Sequence, residues 1–304
     1  TAAWVQNTWL AEPFGFRQGF QHYACFDFTG DRVAAADTER AVLEWLDRDL
    51  QPSFTWLHYL APHVPYEPRQ PWIDEFTPPA FDERYAVVSF PAMASHKSRP
   101  LDAPDLQRFL ALYDSEIAAT DHAIGRLLHA LEQRDRLDPM LVVVLSDHGE
   151  EFKDHGGMGH LTPTYRAGTR VPLLMKLPGQ TTQRRATLPV SAMDLAPTLA
   201  ELLALPGAAV ACDGLALLHG APDVPPDEAA DESAQGEIVS SSLGRLRIDR
   251  ADDVVFTCKF DAEYSAVHAL ARLGAPGERV TEAPDLSGIV GGLKNRFTAR
   301  DARF

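Results

Sequence analysis

Apolar positions recur along this chain with two different spacings, one typical of helices and one typical of strands. The longest helical pattern predicts a helix over residues 105–135. Its apolar positions fall at steps of three and four residues: Leu106, Phe109, Leu110, Tyr113, Ile117, Ile124, Leu127, Leu128 and Leu131. A shorter pattern predicts another helix, for which Asp37 and Thr38 are candidate caps. The expected buried face of this second helix is Ala41, Val42, Trp45, Leu46 and Leu50.

Three further apolar segments predict strands, at residues 53–60, 140–145 and 170–178. The segment 140–145 is apolar at every position, which is typical of a central strand in a parallel sheet. Residues 65–103 contain many prolines and little periodicity, so we expect a long surface loop there. A last helix is predicted at residues 193–205. The alternation of helices and strands favours an α/β layered fold.

The C-terminal third follows a different pattern. Residues 219–237 are acidic and contain prolines, which predicts a linker. Residues 236–260 predict two antiparallel strands around a turn at 250–253. We therefore expect an α/β domain over residues 1–218, the linker, and a small α+β subdomain over residues 238–304.

Composition narrows the classes of function. The formal charge of −15 excludes a nucleic-acid binder, because a phosphate backbone would be repelled. No apolar run approaches the roughly 18 residues of a membrane span. The three cysteines lie far apart, without the spacing of a disulfide framework or a zinc cluster. The chain begins with Thr and carries no visible signal peptide; we expect the natural N-terminus upstream, so cytoplasmic, periplasmic and extracellular locations all stay open.

Candidate chemistry follows the strand predicted at 140–145, where Asp147 and His148 come next in the chain. Ligands of open α/β sheets bind beyond the carboxyl ends of the strands. A carboxylate oxygen with an imidazole nitrogen suits zinc or manganese, whereas calcium prefers oxygen ligands. Gly149 permits a tight turn, and His160 returns towards the same edge. The spacing alone fits equally well a strand-ending turn in which Asp147 caps the next segment and His148 is merely exposed.

Four segments in fixed order add to this pattern: "FTWLHYLAPHVPY", "LVVVLSDHGEEFKDHGGMGH", "TYRAGTRVPLLMKLPG" and "VSAMDLAPTLAELLALP". Together they resemble the sulfatase family of the alkaline phosphatase superfamily, and the resemblance covers most of the chain. It implies a large, mostly parallel mixed sheet sandwiched by helices, with a small C-terminal antiparallel sheet. It also implies hydrolysis of sulfate or phosphate esters at a bound metal ion.

The resemblance assigns roles to five residues of this sequence. Asp147 and His148 would be the metal ligands. His160 stands where the family has a Lys or His that contacts the sulfate and protonates the leaving oxygen. His63, in "PHVPY", would hydrogen-bond the substrate, and Asn7 falls near a substrate-contacting basic position. The implied cofactor is one divalent cation, calcium by resemblance and manganese or zinc given His148. The implied substrate is a small-molecule or glycan ester of sulfate or phosphate.

Other polar residues near these motifs are expected to play supporting parts. Glu150, Glu151 and Lys153 are interpreted as solvated charges beside the site. His155 is interpreted as a supporting histidine, and Asp194 as the N-cap of the helix predicted at 193–205.

The sequence also departs from the family. Sulfatases begin with a strand that ends in two metal-binding aspartates, followed by a "C/S-x-P-S-R" segment with the nucleophile, and neither occurs here. Residues 1–23 resemble the segment that follows the nucleophile, so we expect this chain to begin after it, to be nearly inactive alone and to bind its cation weakly. The alternatives are a phosphoester hydrolase or phosphoethanolamine-type transferase, and a catalytically silent binding or structural module. Oligomeric state stays open.

Overall fold

The computed structural model describes residues 1–26, 35–48, 51–77, 87–95, 101–154, 156–160, 166–183, 190–205, 214, 216–217 and five strands between 237 and 280. These residues fall into two compact units. The first contains residues 1–142 and 176–179, and the second contains residues 143–175 and 180–304. The domain boundaries expected from the sequence stay a prediction.

The first unit is built on a three-stranded parallel sheet with the order β2-β1-β3. Its strands are β1 (Ala2–Val5), β2 (His22–Cys25) and β3 (Thr55–His58). The central strand β1 is buried at all four residues. Its sequence is apolar throughout, as is typical of a parallel strand that is covered on both faces. The strand predicted at 53–60 is thereby confirmed as β3.

Two helices of this unit form its main hydrophobic cluster with the sheet. They are α1 (Ala35–Arg48) and α4 (Ala103–Glu132), so both predicted helices are confirmed. The buried members of the cluster are Ala2, Trp4, Val42, Leu46 and Leu131.

The details of both helices differ from the expectation. On α4, Leu110 and Ile117 are exposed, although they match the helical spacing. Because α1 begins at Ala35, Asp37 and Thr38 lie inside its first turn, and Thr38 accepts a hydrogen bond from Gln6 Nε2 at 3.0 Å. Leu50 lies outside the described residues.

The prediction of a long surface loop at residues 65–103 is wrong in part. Tyr66 and Val88 form an antiparallel bridge, with backbone N···O distances of 2.9 and 2.8 Å. Both side chains are buried, as are Ile73 and Met93. Such buried residues are hard to predict in a proline-rich segment, because they occur singly and do not repeat with the spacing of a helix or a strand. Two short helices also lie here, α2 (Ile73–Phe76) and α3 (Phe90–Ser95).

Two small sheets precede the C-terminal region, and most of their residues lie in the second unit. Strand β4 (Val142–Leu145) pairs with β7 (Leu173–Lys176), which confirms two predicted strands. Strands β5 (Glu151–Phe152) and β6 (Met158–Gly159) form an antiparallel hairpin. Among the described residues β4 pairs with β7 alone, and Leu145 is exposed, so the fully buried central strand expected at 140–145 is not seen.

Two helices complete this part of the unit. Helix α5 spans Arg166–Thr169, and α6 spans Leu195–Leu202 after a 3-10 turn at Ala192–Asp194. The expectation that the Asp194 side chain caps α6 is wrong. Its carboxylate instead accepts a hydrogen bond from Ser191 N at 2.8 Å. The Ser191 hydroxyl in turn accepts one from Met193 N, so the two residues form a capping box.

A five-stranded antiparallel sheet ends the described chain, in the order β12-β11-β10-β9-β8. Its strands are β8 (Glu237–Ser242), β9 (Arg245–Arg250), β10 (Val255–Phe260), β11 (Val267–Leu273) and β12 (Arg279–Val280). The region predicted as two strands contains three, because β8 and β9 are separate. Except for Glu237, the predicted linker lies outside the described residues. A parallel sheet, flanking helices and this C-terminal sheet confirm the predicted α/β class.

Candidate functional site

Asp147 and His148 lie two and three residues beyond the end of β4. The Asp147 carboxylate accepts a hydrogen bond from His148 N at 2.9 Å through Oδ1. Its second oxygen, Oδ2, lies 3.7 Å from His148 Nε2, and the side chain is 76% exposed. The Ser146 hydroxyl donates to His148 O at 2.7 Å, which fixes the backbone of the turn. One oxygen and one nitrogen therefore lie side by side at the exit of the strand.

The geometry of His148 fits a metal ligand. Its Nδ1 lies 2.8 Å from Gly149 O. A carbonyl oxygen only accepts hydrogen bonds, so Nδ1 carries the proton and Nε2 carries the lone pair. Metal-binding histidines commonly donate their second N–H to a carbonyl in this way. Two donors on a tetrahedral zinc ion are about 3.4 Å apart, close to the 3.7 Å between Asp147 Oδ2 and His148 Nε2.

Gly149 lets the chain leave this turn against the backbone near α5. Its N–H donates to Gly168 O at 2.7 Å. A Cβ atom at this position would lie 2.1 Å from Ala167 O, far inside van der Waals contact. The expected tight turn is therefore a close backbone approach, which only glycine allows.

His160 directly follows β6 and packs against His148. The two imidazole rings are stacked, with centroids 4.1 Å apart and planes inclined by 28°. His160 Nδ1 lies 3.0 Å from Glu150 Oε1. The structure thus brings together three of the predicted site residues, Asp147, His148 and His160, in one unit.

The acidic residues of this loop correct an expectation. The Glu150 side chain is 3% exposed and Glu151 is buried, so neither is the solvated charge expected from the sequence. Glu151 Oε1 accepts a hydrogen bond from Gly157 N at 2.9 Å, which closes the β5–β6 hairpin. Lys153 is half-buried and donates to Gly156 O at 3.2 Å. His155 lies outside the described residues.

The other two predicted site residues, Asn7 and His63, lie in the first unit. Asn7 follows β1 and accepts a hydrogen bond from Trp9 N at 3.0 Å, so it caps the 3-10 turn Thr8–Leu10. His63 follows β3, and its Nδ1 lies 2.6 Å from Val64 O. Since β1 and β3 are parallel, both residues lie beyond the same edge of the sheet. Their contact with substrate stays a prediction.

A buried carboxylate that sequence reasoning missed supports the loop after His63. Glu116 on α4 is fully buried and accepts hydrogen bonds from Glu67 N at 3.0 Å and Arg69 Nη2 at 3.2 Å. The neighbouring Ser115 hydroxyl accepts from Arg69 N at 3.3 Å. A signal was available, because Ser115 follows Leu112 by three residues and so shares its buried face.

A second polar cluster lies near the start of that loop. Arg126 donates two hydrogen bonds to the Glu39 carboxylate, from Nη2 to Oε1 at 2.7 Å and from Nε to Oε2 at 3.2 Å. The hydroxyl of Tyr59 is buried and has no hydrogen-bond partner among the described residues. Burial, and secondly the negative charge of Glu39, raise the pKa of Tyr59 well above its ordinary value.

The metal donor set in the described part of the chain is incomplete. No group of three or more His, Cys, Asp or Glu side chains is arranged there to hold a metal ion. Asp147 and His148 alone would supply two donors to a metal ion, and firm binding would need further ligands. Within the same described ranges, no helix has the length and apolar character needed to cross a membrane.

Comparison with known proteins decides the family. The family model described as Sulfatase matches residues 11–205. This chain belongs to the sulfatase family. The resemblance inferred from the ordered motifs is thereby confirmed.

The matches between this chain and individual relatives cover only part of each relative's length. Arylsulfatase K of Gallus gallus is 28% identical over 127 residues, which is 42% of this chain and 24% of the relative. The multifunctional alkaline phosphatase superfamily protein PehA of Trinickia caryophylli is 28% identical over 208 residues, which is 60% of this chain and 40% of that protein. The sulfatase-family chain therefore spans less than half the length of these curated relatives.

A solved structure supports the fold. The phosphonate monoester hydrolase of Agrobacterium radiobacter is similar with a TM-score of 0.59 and 19% sequence identity, over 90% of this chain and 61% of that chain. The predicted alkaline phosphatase and sulfatase type of fold is confirmed.

Proposed function

We propose that this chain carries the metal-binding part of a hydrolase that cleaves esters of sulfuric acid. The observation that carries the proposal is the pairing of Asp147 Oδ2 with His148 Nε2 at 3.7 Å, on a histidine whose Nδ1–H is held by Gly149 O. Membership of the sulfatase family supports the same reaction class.

In this proposal Asp147 and His148 bind one divalent cation. When bound, the cation supplies polarisation of the ester oxygens. His160, stacked on His148, lies beside the proposed cation, where its Nε2 takes up a proton and passes it to the leaving oxygen. His63 hydrogen-bonds the substrate, and Asn7 contacts the substrate more weakly because its side-chain oxygen already caps a turn.

The identity of the cation follows from the donor atoms. The family resemblance by itself suggests calcium, which prefers oxygen ligands. The His148 nitrogen moves our proposal towards manganese or zinc, because imidazole suits these ions. We expect weak binding, with a dissociation constant of about 0.1–1 mM, as for sites with few charged ligands.

The proposed substrate is a small-molecule or glycan sulfate ester, supported by the name of the relative arylsulfatase K. A phosphate ester is the second candidate, favoured by the likeness to PehA, whose name places it in the alkaline phosphatase superfamily. A transferase of the phosphoethanolamine type and a catalytically silent module are the remaining alternatives. We expect these 304 residues to turn over esters slowly or not at all, since they contain no "C/S-x-P-S-R" nucleophile segment.

Isothermal titration of the chain with Mn²⁺, Zn²⁺ and Ca²⁺ tests the metal site. We expect His148→Ala to weaken binding of Mn²⁺ and Zn²⁺ at least 10-fold. His129→Ala is the matched control, because His129 is 68% exposed on α4, and it should leave binding unchanged. Absence of binding of all three ions to the unmodified chain would defeat the proposal.

The reaction class is tested by the codons upstream of Thr1 together with a panel of aryl sulfate, aryl phosphate and phosphonate esters. A "C-x-P-S-R" segment with sulfate turnover supports the sulfatase. A threonine in a comparable strand-to-helix turn with phosphoryl turnover supports the second candidate. No nucleophile and no turnover support the silent module.

A further inference from the structure

We propose that Glu150 is a positioning residue that sets the tautomer and orientation of His160. The contact between His160 Nδ1 and Glu150 Oε1 measures 3.0 Å. A carboxylate accepts hydrogen bonds, so the proton of the neutral imidazole lies on Nδ1 and its lone pair on Nε2. The tautomer can be tested by itself, while its use in ester binding rests on the proposed function.

Burial gives this contact more weight than its distance alone. The Glu150 side chain is 3% exposed and that of His160 is 19% exposed. Away from water a hydrogen bond is electrostatically stronger, and a packed side chain has few other rotamers. The chain also offers a solvated counterpart, since His129 Nδ1 and Glu132 Oε2 lie 3.5 Å apart with both side chains about two-thirds exposed. We expect the buried pair to hold one tautomer and the exposed pair to hold none.

The stacked geometry separates the role of His160 from that of His148. Both rings have Nδ1 engaged, His148 with Gly149 O and His160 with Glu150, so both direct Nε2 outward from those contacts. The lone pair of an imidazole nitrogen lies in the plane of its ring. Ring planes inclined by only 28° with centroids 4.1 Å apart do not converge on a single ion between them. With its lone pair on Nε2, His160 is therefore placed to accept a hydrogen bond or a proton from a group held beside the cation, and not to share the cation.

The two neighbouring carboxylates divide their work. Glu151 Oε1 accepts a hydrogen bond from the backbone of Gly157 and so maintains the hairpin. Glu150 instead reaches an imidazole ten residues away along the chain. This division predicts that a change at Glu150 alters the state of one ring, whereas a change at Glu151 alters the hairpin.

The experiment is long-range ¹H–¹⁵N correlation NMR of the histidine rings in the full chain, at about pH 8.5, where histidine is ordinarily neutral. In the unmodified protein we expect His160 as the Nδ1–H tautomer. Glu150→Ala should reverse the majority tautomer to Nε2–H, and Glu150→Gln should restore Nδ1–H because its side-chain oxygen still accepts. Glu132→Ala is the matched control and should leave both His160 and His129 unchanged.

Two results would overturn the inference: an Nε2–H tautomer of His160 in the unmodified protein, or an unchanged Nδ1–H tautomer in Glu150→Ala. The first needs no variant, so the inference stays testable even if Glu150→Ala does not fold. Mn²⁺ is then titrated into the same sample. We expect it to broaden the His148 resonances first and the His160 resonances next, because His160 is stacked on His148 without sharing the cation. A correct tautomer with no broadening by Mn²⁺ would support the role of Glu150 and overturn the proposed function.

Discussion

Two loops carry the proposed histidines, and they are held in place by different means. The loop after β3, residues 59–72, is anchored by Glu116 on α4, which lies 49 residues from Glu67 along the chain. The loop after β4, residues 146–160, is held by its own carboxylates and by the backbone approach at Gly149. The first loop therefore depends on the core of its unit, whereas the second depends mainly on neighbours in sequence.

This difference has a consequence for stability. A loop tied by a fully buried charge opens only when the packing around that charge is lost. A loop held by local hydrogen bonds can open with little change elsewhere. We therefore expect substitutions in the first loop's anchor to lower the global free energy of unfolding most, and substitutions in the second loop to lower it less while also weakening metal binding at the site.

The largest expected effect is that of Glu116→Ala. It leaves Glu67 N and Arg69 Nη2 without their acceptor and removes a fully buried side chain. We expect a loss of about 3 kcal/mol in the free energy of unfolding, the lower end of the range for breaking a buried pair, because Arg69 is partly exposed. Urea denaturation followed by tryptophan fluorescence measures it.

Asp37→Ala is the control for that substitution. Asp37 pairs with Arg40 at 2.8 Å on the exposed side of α1, and the loss should be about 0.5 kcal/mol. Equal losses for the two variants would contradict the contrast between a buried anchor and a surface pair. Glu116→Gln should fall between them, since its oxygen can still accept from Glu67 N.

The next effect in size tests the second loop. Gly149→Ala places a Cβ atom 2.1 Å from Ala167 O, and we expect a loss of about 2 kcal/mol together with loss of Mn²⁺ binding. The same substitution at Gly125 in α4 meets nothing within 4 Å and should raise the free energy of unfolding by about 0.5–1 kcal/mol. Denaturation curves and metal titrations of both variants provide the measurement. A stable Gly149→Ala protein that still binds Mn²⁺ would refute the close-approach argument.

The sequence predicted those parts of the molecule whose pattern is local. The spacing in α4 and the apolar segment of β3 were enough to assign both elements. The apolar segment before Ser146 also predicted that Asp147 and His148 lie just beyond the end of a strand. The exposed Leu110 and Ile117 show the limit of periodicity, because a long helix has more apolar positions than its neighbours cover.

The polar supports could not be predicted, for a physical reason. Glu116 and Glu150 look like ordinary surface charges in sequence, and only their partners make burial tolerable. The partner of Glu116 comes from a proline-rich segment without any period, and that of Glu150 comes from across a hairpin. The spacing in α4 can indicate which face is buried, but the partners of such carboxylates leave no signal in one sequence.

A smaller effect is expected from removing tyrosine hydroxyl groups that differ in whether they make a hydrogen bond. Tyr59 has a buried hydroxyl that finds no partner among the described residues, so Tyr59→Phe should raise the free energy of unfolding by about 1 kcal/mol. Tyr23 provides the opposite case, because its hydroxyl donates to Leu10 O, and Tyr23→Phe should lower it by about 1 kcal/mol. Thermal denaturation of the two variants checks the signs. A loss in Tyr59→Phe would mean that the hydroxyl has an unrecognised acceptor.

The smallest effect concerns Asp114, two residues before Glu116 on the same helix. Its half-buried carboxylate has no hydrogen bond from the described residues, and burial raises the pKa of Asp114 above its ordinary value of 3.8. The folded protein therefore holds this proton more tightly than the unfolded chain does, so stability falls as the pH rises from that value through the raised pKa. Asp114→Asn should be more stable than the unmodified protein at pH 7, by about 0.5 kcal/mol because the group is partly solvated, and the difference should vanish below about pH 4. Urea denaturation at several pH values measures this, with the exposed Asp121→Asn as control. A difference that stays constant down to pH 3 would show that the side chain acts through packing and not through its charge.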